Sequence, residues 1–134
     1  MTVIFFLDDN KGMLFNNRRL SRDEEVLNDI RTYLQGELYI TGFSEKYLAA
    51  SGLPYKVIAA LDNFNNDNYY LIENVSVKEH IDKIDRIIIY WWNRTYPSDM
   101  RLDFEPADYG FKSKSIYEFA GKSHEKISRE IFDR

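Results

Sequence analysis

The residue types that carry most covalent and metal chemistry are scarce in this chain. There are no cysteines and only two histidines, His80 and His124. The first count excludes a cysteine nucleophile, a disulfide framework, an iron–sulfur centre and a thiolate zinc site, and the second excludes a three-histidine catalytic metal centre. His80 lies among Lys78, Glu79 and Asp82, and His124 between Ser123 and Glu125. No spacing ties His80 to a serine or carboxylate as a relay, and sequence alone does not distinguish the setting of His124 from a polar turn, so both read as structural or solvated. Charged clusters carry the remaining possibilities. Arg18, Arg19 and Arg22 stand just before Asp23, Glu24 and Glu25. Guanidinium forks in that position could clamp a phosphate or carboxylate, which makes Asp23, Arg18 and Arg19 a candidate ligand-binding set. Asp8-Asp9 offers the hard oxygen atoms that magnesium takes, but such a pair is common without a metal, and no metal is assigned. Asp99, Asp103, Glu105 and Asp108 oppose Arg101 alone, with Tyr96, Phe104 and Tyr109 interleaved. Carboxylates mixed with aromatic rings copy the charge and stacking surface of a polyanion, so Asp99, Asp103, Phe104, Glu105, Asp108 and Tyr109 form a candidate surface for a basic protein partner. Asp62, Asp67 and Glu73 make a second, smaller acidic site. Gly12 alone is no glycine-rich phosphate cradle. No catalytic residue and no cofactor are assigned.

The elements that must position these residues belong to one domain, because 134 residues leave no room for a second module. Folding at this size hides about two-thirds of the chain's surface, so a core forms without staples. The apolar run Val3-Ile4-Phe5-Phe6-Leu7 reads as a buried first strand. It is too short for a membrane span and lacks the basic flank of a signal peptide, so a cytoplasmic protein without membrane contact is expected. Residues 8–20 read as a polar loop. Ser21 with Glu24 forms a capping-box signature for a helix that runs through Val26, Leu27, Ile30 and Tyr33 to Gly36. Further strands are expected over 37–41, 55–61 (buried), 69–75 and 86–92, and short helices over 44–50 and from Ser76 to about Lys83, with a loop over 62–68. Adjacent Trp91 and Trp92 should face opposite sides of their strand, one in the core. The C-terminal segments 111–119 and 125–132 suit a hairpin around Gly121, while Ile127, Ile131 and Phe132 suit a helix equally well. The pattern predicts an α/β domain with a mixed central sheet flanked by a few helices.

Several stretches together resemble a shortened dihydrofolate reductase. They are Gly12-Met13 with Leu20-Ser21-Arg22-Asp23, Leu38-Tyr39-Ile40-Thr41-Gly42, Tyr96-Pro97-Ser98-Asp99, Phe104-Glu105-Pro106-Ala107-Asp108-Tyr109, Tyr117-Glu118-Phe119 and Ile131-Phe132-Asp133-Arg134. The resemblance implies that scaffold and makes Asp23 the counterpart of the family's pterin-pairing acid. The family's consecutive glycines, however, are absent, and Phe43 follows Gly42 where the family has a basic residue for the cofactor phosphate. The segment 8–19 also resembles small uncharacterised bacterial proteins sometimes labelled ribonuclease Z, whose two-zinc, histidine-rich chemistry two histidines cannot build.

A balance of 18 Lys and Arg against 22 Asp and Glu gives a net charge of −4, which disfavours direct nucleic-acid binding. The expectation is a non-catalytic binding protein, similar to immunity proteins of contact-dependent growth inhibition, that occludes a basic nuclease toxin one-to-one. The alternative is a divergent nicotinamide-dependent reductase or nucleotide-binding enzyme using Asp23, Arg18 and Arg19. A ribonuclease toxin is a third reading, disfavoured by the acidity.

Overall fold

The computed structural model describes residues 1–61 and 67–134, so most of the expected loop over 62–68, Asp62 included, lies outside the described residues. The first strand, β1 (Thr2–Leu7), is buried along almost its whole length, as expected for a strand covered on both faces. It pairs in parallel with β6 (Tyr69–Leu71) on one side and β7 (Arg86–Trp91) on the other. With β4 (Leu38–Ile40), β5 (Tyr55–Val57), β9 (Lys112–Phe119) and β10 (Ile127–Asp133), these strands form a seven-stranded sheet in the order β5-β4-β6-β1-β7-β10-β9. Only β10 runs against the other strands, pairing antiparallel with both β7 and β9, so the sheet is mixed.

Alternation along the strands divides the core in two. Val3, Phe5, Leu7, Ile87 and Ile89 face one side, together with Phe104 and Phe111. Ile4, Phe6, Ile88 and Tyr90 face the other, where α1 (Glu24–Tyr33) and α2 (Glu45–Ser51) cover them with Val26, Leu27, Ile30 and Leu48. Gly52 closes α2 at φ +78°, the left-handed conformation that terminates helices.

Four sequence expectations are corrected. The segment 8–20 is not all loop: β2 (Gly12–Phe15) and β3 (Arg18–Arg19) form a hairpin, joined in a small sheet by β8 (Met100–Arg101). Asn16 and Asn17 turn it at φ 51° and 59°, the paired positive angles of the tight hairpin turn that asparagine tolerates. Ser21 does not cap α1. Asp23 does, its carboxylate accepting the Glu25 amide, and the helix ends at Tyr33 rather than Gly36. Ser76 likewise is not the cap of its helix. The segment Lys78–Lys83 is a 3-10 helix whose N-cap position is Val77, while the Ser76 hydroxyl one residue earlier accepts the Lys78 amide at 3.2 Å. The strand expected over 55–61 is short and lies at the sheet edge, with Lys56 and Val57 exposed. Of the two readings left open for the C-terminal segments, the hairpin is the one observed, β9 pairing antiparallel with β10. Ile127 and Ile131 are four apart, a spacing that puts them on one face in either geometry, and in β10 that face is the α1 side of the core. Trp92 is buried, while Trp91 is half-buried and donates its Nε1–H to Glu130 Oε1 at 3.1 Å.

Candidate functional site

The connection from β1 leads through α1 to β4 on one side, and that from β6 leads to β7 on the other. In open α/β sheets the place where connections diverge is where ligands usually bind, beyond the carboxyl ends of the strands. Two buried polar networks stand near this end of the sheet.

Asp23 centres the first. Its Oδ1 accepts the amides of Glu25 (3.0 Å) and Lys122 (3.0 Å). Its Oδ2 accepts the Ser123 amide (2.9 Å), the Ser123 hydroxyl (3.1 Å) and His124 Nδ1 (3.0 Å). Burial alone pushes this carboxyl upward, but the Lys122 amide, the His124 ring and the Ser123 and Glu25 amides outweigh it and hold it well below the usual carboxylate range. His124 is itself buried, stacks on Trp92 with ring centroids 4.8 Å apart, and places Nε2 2.9 Å from Ser21 Oγ and 3.3 Å from the Tyr96 hydroxyl. Gly121 allows the turn to approach, because a Cβ there would run into the Asp23 carboxylate and Ile127.

Glu73 centres the second, just beyond β6 and 4% exposed. Arg19 Nε and Nη2 donate to its two oxygens at 2.9 Å each, a bidentate pair, and Ser44 Oγ donates at 2.6 Å. The Arg19 guanidinium lies over the Tyr47 and Phe43 rings at 4.3 and 5.2 Å. Burial lowers the Arg19 pKa, but the Glu73 hydrogen bonds and charge reverse this and raise it. The Tyr47 phenol is pushed up to about 12, chiefly by burial and then by the Glu73 charge.

Between α1, α2 and the β2–β3 hairpin these networks leave an open cleft with two adjoining lobes. One, of about 620 Å³, is lined by Arg22, Glu24, Arg31, Lys122 and Ser123 among others; the second, of about 750 Å³, by Arg18, Ser21, Arg22, Phe43, Lys46 and Tyr47 among others. Arg22 and Tyr47 belong to both. Among the described residues no ion pair engages Arg18, Arg22 or Lys46, while Lys122 pairs with Glu24. A protein of net charge −4 therefore presents a cleft whose charged lining residues are mainly cations, Arg18, Arg19, Arg22, Arg31, Lys46 and Lys122 against Asp23 and Glu24.

Of the candidate ligand set, Arg18 lines this cleft, Asp23 is filled by five internal donors, and Arg19 is committed to Glu73. Asp8 is a turn residue: its carboxylate accepts the amides of Asn10, Gly12 and Tyr96. In the acidic stretch Asp99 accepts the Asn16 amide, Asp103 accepts the Ser76 hydroxyl, and Glu105 pairs with Lys11, all from exposed positions. Asp108 is exposed as well. Phe104 is corrected: it is 6% exposed and packs edge-on against Phe5 and Tyr109, so it is core and not contact surface. Of the second acidic site, Asp67 is exposed and Glu73 is buried. Among the described residues no group of three His, Cys, Asp or Glu side chains could hold a metal ion, and no helix is long and apolar enough to cross a membrane.

Sequence reasoning gave Ser21 a capping role, read His124 as structural or solvated and placed Glu73 in an acidic site, and it missed Ser44, Tyr47 and Lys46. Asp23 and His124 are 101 residues apart, so no local spacing could reveal their pairing.

No protein-family model and no curated protein matches the chain. Among solved structures it is similar to dihydrofolate reductase from Enterococcus faecalis complexed with NADP(H) and RAB-propyl. The TM-score is 0.70 at 11% identity, over 99% of this chain and 95% of that one. The chain therefore has a dihydrofolate-reductase-like α/β fold.

Proposed function

We propose that this chain uses the reductase-like scaffold to bind a small anionic molecule in the cleft between α1 and α2. The observation that carries the reading is the set of cations lining that cleft, Arg18, Arg22 and Lys46, which among the described residues pair with no carboxylate. Phe43 and Tyr47 line the same lobe beside them, their rings under the Arg19 guanidinium.

The residues present do not fit the dinucleotide held by the structural neighbour. Anionic phosphates favour helix N-termini and glycine-lined backbone at the strand ends. Here the end of β6 carries the buried Glu73 carboxylate, which would repel a pyrophosphate, and its cation is already consumed in a bidentate pair. Asp23 is likewise held ionised by internal donors, so it has no proton to give a bound heterocycle. No hydride-transfer step is derived.

The test is thermal unfolding with inorganic pyrophosphate, citrate and NADPH. A ligand at 100 times its Kd stabilises by about 2.7 kcal/mol, and for a chain of this length that raises Tm by about 10 °C. Pyrophosphate or citrate should raise Tm, and the Arg18→Gln/Arg22→Gln double variant should lose the effect. A flat scan with all the small anions contradicts the reading.

A second reading, neutralisation of a basic nuclease toxin in the manner of an immunity protein, is supported by one observation: Asp99, Asp103, Glu105 and Asp108 are all exposed while Leu102, Phe104 and Pro106 turn inward. Neutralising the four carboxylates together should slow association with such a partner and reduce its salt dependence. Unchanged association kinetics would remove that surface.

A further inference from the structure

Ser21 is freed from capping because Asp23 caps α1, and among the described residues its hydroxyl is engaged only by His124. Asp23 Oδ2, His124 and Ser21 then stand in line, 3.0 Å at Nδ1 and 2.9 Å at Nε2. This is the arrangement of a nucleophile, its base and the carboxylate that orients the base. From the geometry we infer that Ser21 is an activated nucleophile and that the cleft hydrolyses an ester bearing a carboxylate or phosphate group; the substrate class rests on the anion-binding reading above.

Each part has a physical role. Asp23 accepts a hydrogen bond from Nδ1, so in the neutral ring Nδ1 carries the hydrogen and Nε2 offers its lone pair to the Ser21 hydroxyl. Asp23 is a positioning residue. It is fixed by the amides of Glu25, Lys122 and Ser123, and the imidazole plane is fixed by its stack on Trp92. Ser21 is partly exposed and lines the lobe that holds Arg18, Arg22 and Lys46. A substrate anion seats on those cations.

Ser21 Oγ attacks the acyl carbon as its proton passes to His124 Nε2. The carbon–oxygen bond to the alcohol breaks, and Nε2–H protonates the departing oxygen. A water molecule, deprotonated by Nε2, then attacks the acyl–Ser21 ester, releasing the acid and returning the proton to Ser21. One ester and one water give one acid and one alcohol, with no redox change and no protonation of Asp23.

The test is covalent labelling with a fluorophosphonate, read by intact mass and peptide mapping. The parent should gain one adduct, on Ser21, and Ser21→Ala none. His124→Asn should label about 100-fold more slowly or worse, the usual loss when a general base is removed. An unlabelled parent, an adduct elsewhere, or a folded His124→Asn variant that labels at the parent rate overturns the inference, and the parent result does not depend on the variant folding. Substrate class is read from p-nitrophenyl acetate against the anionic p-nitrophenyl hemisuccinate. The parent should prefer the hemisuccinate, and Arg18→Gln/Arg22→Gln should erase that preference; no preference overturns the substrate class. Absent labelling with the pyrophosphate-driven Tm rise intact sinks the nucleophile alone. Ser21 labelling without any anion-driven rise sinks the anion-binding reading alone.

Discussion

Replacing Asp23 with Asn removes a charge while keeping the shape, and it asks how much the loop 121–124 depends on that carboxylate. The asparagine oxygen can still serve the Glu25 and Lys122 amides, but its NH2 then faces the Ser123 amide, the Ser123 hydroxyl and His124 Nδ1. The hydroxyl can rotate and the imidazole can change tautomer, so the Ser123 amide is the donor left without an acceptor. Charge-assisted hydrogen bonds contribute about 1.5–3 kcal/mol each, and an orphaned buried donor costs about 1–3 kcal/mol. The variant should therefore lose about 3–5 kcal/mol, a large part of the roughly 5–15 kcal/mol that holds a domain folded. The sign of the pH dependence follows from the depressed carboxyl. Because its folded pKa lies below the unfolded value near 3.9, its stabilisation is complete above about pH 5 and is lost as pH falls through 4 and below. Between pH 7 and pH 3 the gap between parent and Asp23→Asn should narrow by about 1.3 kcal/mol. Urea unfolding at both pH values, followed by the fluorescence of Trp92 against His124, measures both quantities. A loss under about 1 kcal/mol at pH 7, or a gap that does not change with pH, would refute the assignment of Asp23 as an ionised hub.

Three other substitutions probe the remaining parts. Gly121→Ala should destabilise by about 1–3 kcal/mol in the same urea assay, since its methyl meets the Asp23 carboxylate and Ile127; parent-like unfolding would show that the turn is loosely packed. Glu73→Gln removes the charge partner of Arg19 and the charged acceptor of Ser44, and should cost about 2–3 kcal/mol, with a stability unaffected by the change arguing against the pair as an anchor of the β2–β3 hairpin. Phe104→Ala should cost about 3–5 kcal/mol as a core truncation, while Asp108→Asn should leave the midpoint within about 0.5 kcal/mol; equal effects would contradict their assignment to core and surface.

Much of the scaffold is readable from the chain, for reasons that are local. Val3 to Leu7 and Ile87 to Trp91 are short apolar runs, rich in β-branched and aromatic residues, that suit strands buried on both faces, and Val26, Leu27 and Ile30 mark one helix face. The β2–β3 hairpin escaped because its turn is Asn16-Asn17, without the glycine that usually signals one, and the following strand has only two residues. Ser21 escaped for a subtler reason: serine and aspartate are both good helix caps, and two lie within three residues, so propensity does not choose between them. The tertiary contact with His124 decides it. Glu73 and Arg19 are 54 residues apart, and Asp23 and His124 are 101, distances over which pattern carries no information about pairing. The basic cleft arises from the docking of α1, α2 and the hairpin, which brings Lys46 and Lys122 from distant positions to the Arg18–Arg22 cluster.

The most direct test of anion binding in the α1–α2 cleft is a proton–nitrogen correlation NMR titration with inorganic pyrophosphate. The amides of residues 18–22 and 43–47 should shift with saturation, while those of β9 and β10 beyond the 121–124 turn stay in place. Absence of any saturable shift, or shifts confined to surfaces away from the cleft, would contradict it.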